Sequence, residues 1–223
     1  MKTVLITGAN RGIGLALARH YTARGDRVIT ACRQSSDALD ATGARVEAGV
    51  DVTDDRALAA LADRLGDTRI DVLLLNAGIL GNESLGALDD AAFDSMRRQF
   101  EVNALGPLRV AQALEPRLAD GAKVGIVTSR MGSVADNGSG GYYGYRASKA
   151  AVNAIGKSLA LDLRPRGIAV FLLHPGYVAT DMVGGTGDVS PEQSAAQLVE
   201  RLDGLALEDS GSFWHANGTP LPW

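Results

Sequence analysis

The chain has 223 residues, 22% of them charged, and a net charge of −4. With no basic excess, a nucleic-acid backbone is not an expected partner, and the single cysteine, Cys32, excludes an internal disulfide framework. No apolar run approaches the ~20 residues needed to cross a bilayer, and the opening MKTVLITGANRGIG lacks the features of a secretory signal, so a reducing cytoplasmic setting is expected.

In chain order, short β-rich runs recur at KTVLIT, DRVITAC, ARVEAGV, IDVLLLN, AKVGIVTS and GIAVFLLHP. Segments of helical spacing separate them, among them DRALAALADRL and the long AAFDSMRRQFEVNALGPLRVAQALEPRL. A last run, GSFWHA, followed by the turn NGTPLPW, predicts a closing edge strand. This alternation implies one α/β domain over 1–223: a doubly wound Rossmann sheet of seven mainly parallel strands with helices on both faces. The glycine-rich stretch at about 176–190 follows the sixth strand, on the side where such sheets bind ligands, and reads as a short substrate loop.

After the first strand, Gly8, Gly12 and Gly14 in TGANRGIG lead into an amphipathic helix. Glycines let backbone approach a pyrophosphate, and a helix N-terminus offers it unpaired N–H groups. Gly8, Asn10, Arg11, Gly12, Ile13 and Gly14 are therefore candidate dinucleotide contacts, with an ordinary tight turn as the competing reading. The second strand ends in Arg33 with no acid, and Arg11 stands in the glycine loop on the same side. Two guanidiniums favour the 2′-phosphate of NADP(H), with NAD(H) as the alternative if both are ordinary surface residues or Asp37 folds back toward the ribose.

Asp51 and Val52 follow the third strand, and Asn76, Ala77 and Gly78 follow the fourth. An aspartate can accept from an adenine amino group, and a small Asn-Ala-Gly turn lets a flat ring pass close by. Equally, Asp51 can cap the next helix and Asn76 can satisfy turn backbone. Tyr145 and Lys149, in YRASK, are four residues apart and share a helix face. An ammonium beside a phenol is expected to lower its pKa from the ordinary ~10, although an isolated YxxxK is too short to carry a function. His20, His174 and His215 are scattered and Cys32 has no CxxC partner, so no metal site is expected.

The glycine loop, NAG, a serine at the end of the fifth strand, YRASK and HPG occur in one order over nearly the whole chain, and in this the sequence resembles the short-chain dehydrogenase/reductase superfamily. The resemblance implies hydride transfer between a nicotinamide cofactor and a small carbonyl or alcohol. Ser129 would polarise the substrate oxygen, Tyr145 pass the proton, Lys149 tune Tyr145 and anchor the nicotinamide ribose, and Asn103 hold a water for proton relay. Ser133 is the rival of Ser129, because DNGSGG lengthens the spacing to the tyrosine; read without the family, Asn103 is a polar helix residue beside a kink at Gly106 and Pro107. The resemblance also places Pro175, Gly176, Val178 and Thr180 at the nicotinamide and leaves His174 a strand-end residue instead of a base. It implies that the helices starting near Ala92 and Tyr142 pair across a two-fold axis in a homodimer or homotetramer, unless their small residues only pack on their own sheet.

Within the superfamily, SRMGSVADNGSGGYYGYRASKAAVN and the ending NGTPLPW are most similar to the small bacterial C-factor proteins and the sniffer-type carbonyl reductases. That branch implies an NADPH-dependent reductase of aldehydes, ketones or quinones. The alternative it carries is a cofactor-binding signalling or regulatory protein whose catalysis is incidental.

Overall fold

Strands buried on both faces need near-continuous apolar runs, and VLLL within IDVLLL and AVFLL within AVFLLH meet that requirement. The computed structural model describes all 223 residues. It forms β1 (Thr3–Thr7), β2 (Arg27–Ala31), β3 (Arg45–Glu47), β4 (Ile70–Leu75), β5 (Leu118–Val127), β6 (Ala169–His174) and β7 (Ser212–His215). They lie in the order β3-β2-β1-β4-β5-β6-β7, and every pairing is parallel, including that of the edge strand β7.

Parallel strands need crossover helices, and these cover both faces. On one face α1 (Gly12–Ala23) and α7 (Pro191–Gly204) pack together over Val4, Ile6, Leu74, Phe171 and Leu173. On the other, α3 (Asp55–Leu65), α5 (Gly106–Leu114) and α6 (Tyr143–Asp162) enclose Leu5, Leu73, Val124, Ile126 and Leu172. A single helical turn, α2 (Asp37–Asp40), follows β2, and α4 (Asp90–Phe100) packs against α6. No helix is long and apolar enough to cross a membrane.

Two local features depart from the sequence reading. The long helical run after β4 is interrupted by a π-helical turn, Glu101–Leu105, which separates α4 from α5 and contains Asn103. Gly106 follows it because a Cβ there would lie 2.9 Å from Val52 Cγ2. The second departure is at α3, whose cap is Asp54: its carboxylate accepts from the Arg56 and Ala57 amides at 2.9 and 3.3 Å, so Asp51 is not the cap. Strand order runs outward from β1 in one direction and from β4 in the other, which opens a crevice at the carboxyl ends of the strands.

Candidate active site

A cleft of about 1460 Å³ occupies that crevice, and every residue expected to hold a dinucleotide lines it. At its β1 end the packing is too tight for side chains. Gly8 has φ +67°, and a Cβ on it would lie 2.8 Å from Ala77 Cα. A Cβ on Gly14 would lie 2.4 Å from the Gly8 carbonyl and 2.6 Å from Asn76 Nδ2. The first turn of α1 has no side-chain cap and no acid, so its amides remain available to an anion. This cradle and the arginines beside it fit the phosphates of a dinucleotide.

Asn76 serves the turn itself: Nδ2 donates to the Thr7 and Gly8 carbonyls at 3.0 and 3.1 Å. Ser36, which sequence reading passed over, caps α2 and donates to the Asn10 carbonyl at 2.7 Å, tying the glycine loop to the end of β2. Asp37 is exposed on α2 and does not line the cleft, so the structure does not bring it to the ribose side. Arg11 lies 3.9 Å from Asp181, and Arg33 lines the cleft with no carboxylate against it. Asp51 accepts from the Thr53 amide and hydroxyl at 2.9 and 2.7 Å and lies 3.7 Å from Arg98 of α4. Burial alone would raise its carboxyl; the Thr53 hydrogen bonds and the Arg98 charge outweigh that and hold it below the ordinary range.

At the β5 end the two candidate serines part. Ser129 lines the cleft beside Tyr145, and its hydroxyl accepts from the Met131 amide at 3.1 Å. Ser133 faces away, donating to the Trp223 carbonyl at 3.0 Å and accepting from the Asp136 amide at 3.1 Å. The start of α6 is held by Glu83, whose carbonyl accepts from the Tyr142 amide at 2.8 Å and whose carboxylate accepts from the Gly144 amide at 3.1 Å. That buried carboxylate also accepts from Ser95 Oγ and Gln99 Nε2, which joins α4 to the helix carrying Tyr145.

Lys149 is buried one turn after Tyr145, with Nζ 5.7 Å from the tyrosine ring centroid and donating to the Val127 carbonyl at 2.9 Å. Burial draws its pKa down to about 8. The Tyr145 phenol stands above its ordinary value because burial raises it, while the Ser129 hydroxyl pulls the other way. The expected lowering by the ammonium is therefore corrected: Nζ is turned to a backbone carbonyl, and desolvation decides the sign.

Asn103 is buried behind Gly78 and does not line the cleft. Its Oδ1 accepts from the Ile79 amide at 2.8 Å, and Nδ2 donates to the Ile79 carbonyl at 2.9 Å and to Ser148 Oγ at 3.1 Å, so the side-chain amide is occupied. His174 meets His215 edge-on at 4.7 Å, and burial, followed by His215 and Arg130, holds its pKa down to about 3. It is neutral at ordinary pH and poorly suited to accept a proton. Beyond it, Val178 bridges Val189 and the Tyr177 and Thr186 hydroxyls share a hydrogen bond, giving the 176–190 segment its shape.

A family model described as short chain dehydrogenase matches residues 2–191. Over the whole of both chains, the sequence is 47% identical to the 1-hydroxy-2-glutathionyl-2-methyl-3-butene dehydrogenase of Rhodococcus sp. (strain AD45). It is 45% identical to the C-signal of Myxococcus xanthus, covering 74% of this chain and all of that one. Among the solved structures that cover this chain in full are the carbonyl reductase Sniffer of D. melanogaster, at a TM-score of 0.90 and 30% identity over all of that chain, and an NADPH-bound carbonyl reductase from chicken fatty liver, at 0.90 and 29% over 99% of it.

Proposed function

The chain belongs to the short-chain dehydrogenase family, and on that basis we propose that it is an NADP(H)-dependent reductase of small aldehydes, ketones or quinones. The observation that carries the reading is the meeting of Ser129, Tyr145 and Lys149 in one cleft with the glycine cradle. NADPH would supply the hydride; the remaining roles belong to this chain's residues. Ser129 and Tyr145 polarise the carbonyl oxygen, and Tyr145 donates the proton. A phenol raised by burial is protonated at neutral pH, which suits donation in the reductive direction. Lys149 orients the nicotinamide ribose and returns a proton to Tyr145. Asn103 braces Ile79 and Ser148, and because those bonds occupy its side-chain amide, a relay water would have to be held by another group than that amide.

The preference for NADP(H) rests on Arg33 and Arg11, on Asp37 lying outside the cleft lining, and on the NADPH carried by the chicken carbonyl reductase. The 176–190 segment would act as a short substrate loop, with Pro175, Gly176, Val178 and Thr180 bordering the nicotinamide. Exposed Phe93 and Phe100 on α4 and Tyr143 on α6 support pairing of these helices between two copies. A second reading, a cofactor-binding signalling protein with incidental catalysis, is favoured by the similarity to the C-signal.

The test is NADPH and NADH oxidation across quinones, diketones, aldehydes and ketones, with wild type and Tyr145→Phe. Loss of about 10²- to 10⁴-fold in turnover with NADPH binding retained is the expected result. Full turnover by Tyr145→Phe would sink the proposal, and tight NADPH binding without turnover would favour the signalling reading.

A further inference from the structure

Five arginines and Lys149 line the cleft against three carboxylates, in a chain whose net charge is −4. Each of those carboxylates has an arginine against it: Asp51 has Arg98 at 3.7 Å, Asp181 has Arg11 at 3.9 Å, and Asp136 is gripped by Nε and Nη2 of Arg130. Two guanidiniums in the wall are left without a carboxylate, Arg33 at the nucleotide end and Arg146 beside Tyr145. The first has an anion to meet in the 2′-phosphate. The second has none in a neutral carbonyl substrate.

Arg146 is half-buried and uses two of its five N–H groups on the protein: Nε donates to the Gly140 carbonyl at 3.3 Å and Nη2 to Ser139 Oγ at 2.8 Å. Both bonds hold it to a segment of unusual backbone. Gly140, Gly141 and Tyr142 have φ of +66°, +63° and +51°, and Tyr142 is the one residue other than glycine in that region of the whole chain. Such a conformation persists where its surroundings impose it, and here the Glu83 carbonyl does so through the Tyr142 amide. Tyr142 and Arg146 then stand together in the cleft wall, the arginine with three N–H groups unassigned.

We propose that Arg146, with Tyr142 beside it, is an anion subsite for a carboxylate carried by the substrate away from its reacting carbon. The substrate class it selects is the acid-tailed carbonyl compound. This refines the reductase reading and rests on it for the reacting end, while the binding it asserts is measurable apart from turnover. A planar guanidinium in a partly desolvated cleft takes a carboxylate through forked, charge-assisted bonds, and the surplus of cations attracts anions to the cleft.

The probes are the S-glutathionyl adduct of methyl vinyl ketone, which has two carboxylates and a ketone, and its diethyl ester. Calorimetry on the NADP⁺-loaded protein gives affinity, and NADPH oxidation gives kcat and KM. Wild type is expected to bind the diacid roughly tenfold or more tightly than the diester, as a charged hydrogen bond implies. Raised salt should shrink that ratio, Arg146→Gln should collapse it, Arg146→Lys should restore part of it, and Ser139→Ala should keep it. Equal binding of the two probes by wild type, or no binding of either, would overturn the subsite, and so would Arg146→Gln weakening both alike, because the arginine would then only hold the loop. Salt sensitivity and Arg146→Lys keep the test open if Arg146→Gln does not fold. A diacid bound preferentially but never turned over would uphold the subsite and end the reductase reading; turnover of both probes with equal KM would do the reverse.

Discussion

At the β1 end of the cleft the surface offered to a ligand is backbone, and at the β5 end it is side chain. The first end works by omission, since Gly8 and Gly14 leave out atoms that would collide with Ala77, Asn76 and the loop's own carbonyl. The second works by restraint: Lys149, Asn103 and Ser129 are buried, and each has a hydrogen-bond partner that fixes where it points. The contrast separates two kinds of failure. Adding an atom at the first end should lower affinity for the nucleotide, and removing one at the second should lower the rate.

That contrast can be broken most severely at Ser129. Ser129→Ala should lower kcat about 10²- to 10³-fold, the usual loss for one donor to a developing oxyanion, with NADPH affinity measured by fluorescence unchanged. Gly14→Ala should do the opposite, weakening NADPH about 10- to 100-fold, as overpacking of ~1–3 kcal/mol implies, while kcat at saturating cofactor stays near wild type. Arg33→Gln sharpens the nucleotide side: about a tenfold loss for NADPH and none for NADH would mark the loss of a charge-assisted bond to the 2′-phosphate. At Lys149 the sign follows from its depressed pKa. The ammonium is present below about 8 and lost above it, so the NADPH dissociation constant should rise a few-fold through that pH, and the rise should be absent in Lys149→Met. The smallest effect belongs to Ser133→Ala, which should cost about 1 kcal/mol in thermal stability through the lost bond to Trp223 and leave kcat unchanged.

The strands were legible because burial on both sheet faces demands continuous apolar runs, and these stand out in KTVLIT or AVFLLH. The glycine spacing and YRASK were legible for a related reason, since both are local and each residue's neighbours in sequence are its neighbours in the site. What escaped depends on contacts between distant segments. Helical periodicity continues through Glu101–Leu105, and the π turn there sits beside the close approach of Gly106 to Val52, a contact from a distant segment. The choice between Ser129 and Ser133 is made by the carbonyl of Trp223, ninety residues on from Ser133. Arg98 reaches Asp51 from another helix, and Glu83 holds α6 across 61 residues. Helical spacing puts the Lys149 ammonium near Tyr145, whereas its direction is set by a β5 carbonyl that no helical spacing reports.

The strand order also sets a schedule for assembly. β1 lies between β2 and β4, and Val4 pairs with Val72, so the first strand waits for residues far downstream before both its edges are closed. Such distant parallel pairing makes slow folding the expectation. When a growing chain has cleared β4, the four strands β3, β2, β1 and β4 that flank the glycine loop can pair, and Ser129, Tyr145 and Lys149 have not yet been made. A nascent chain can thus bring together the strands of the nucleotide end before the three side chains of the proton-transfer end exist.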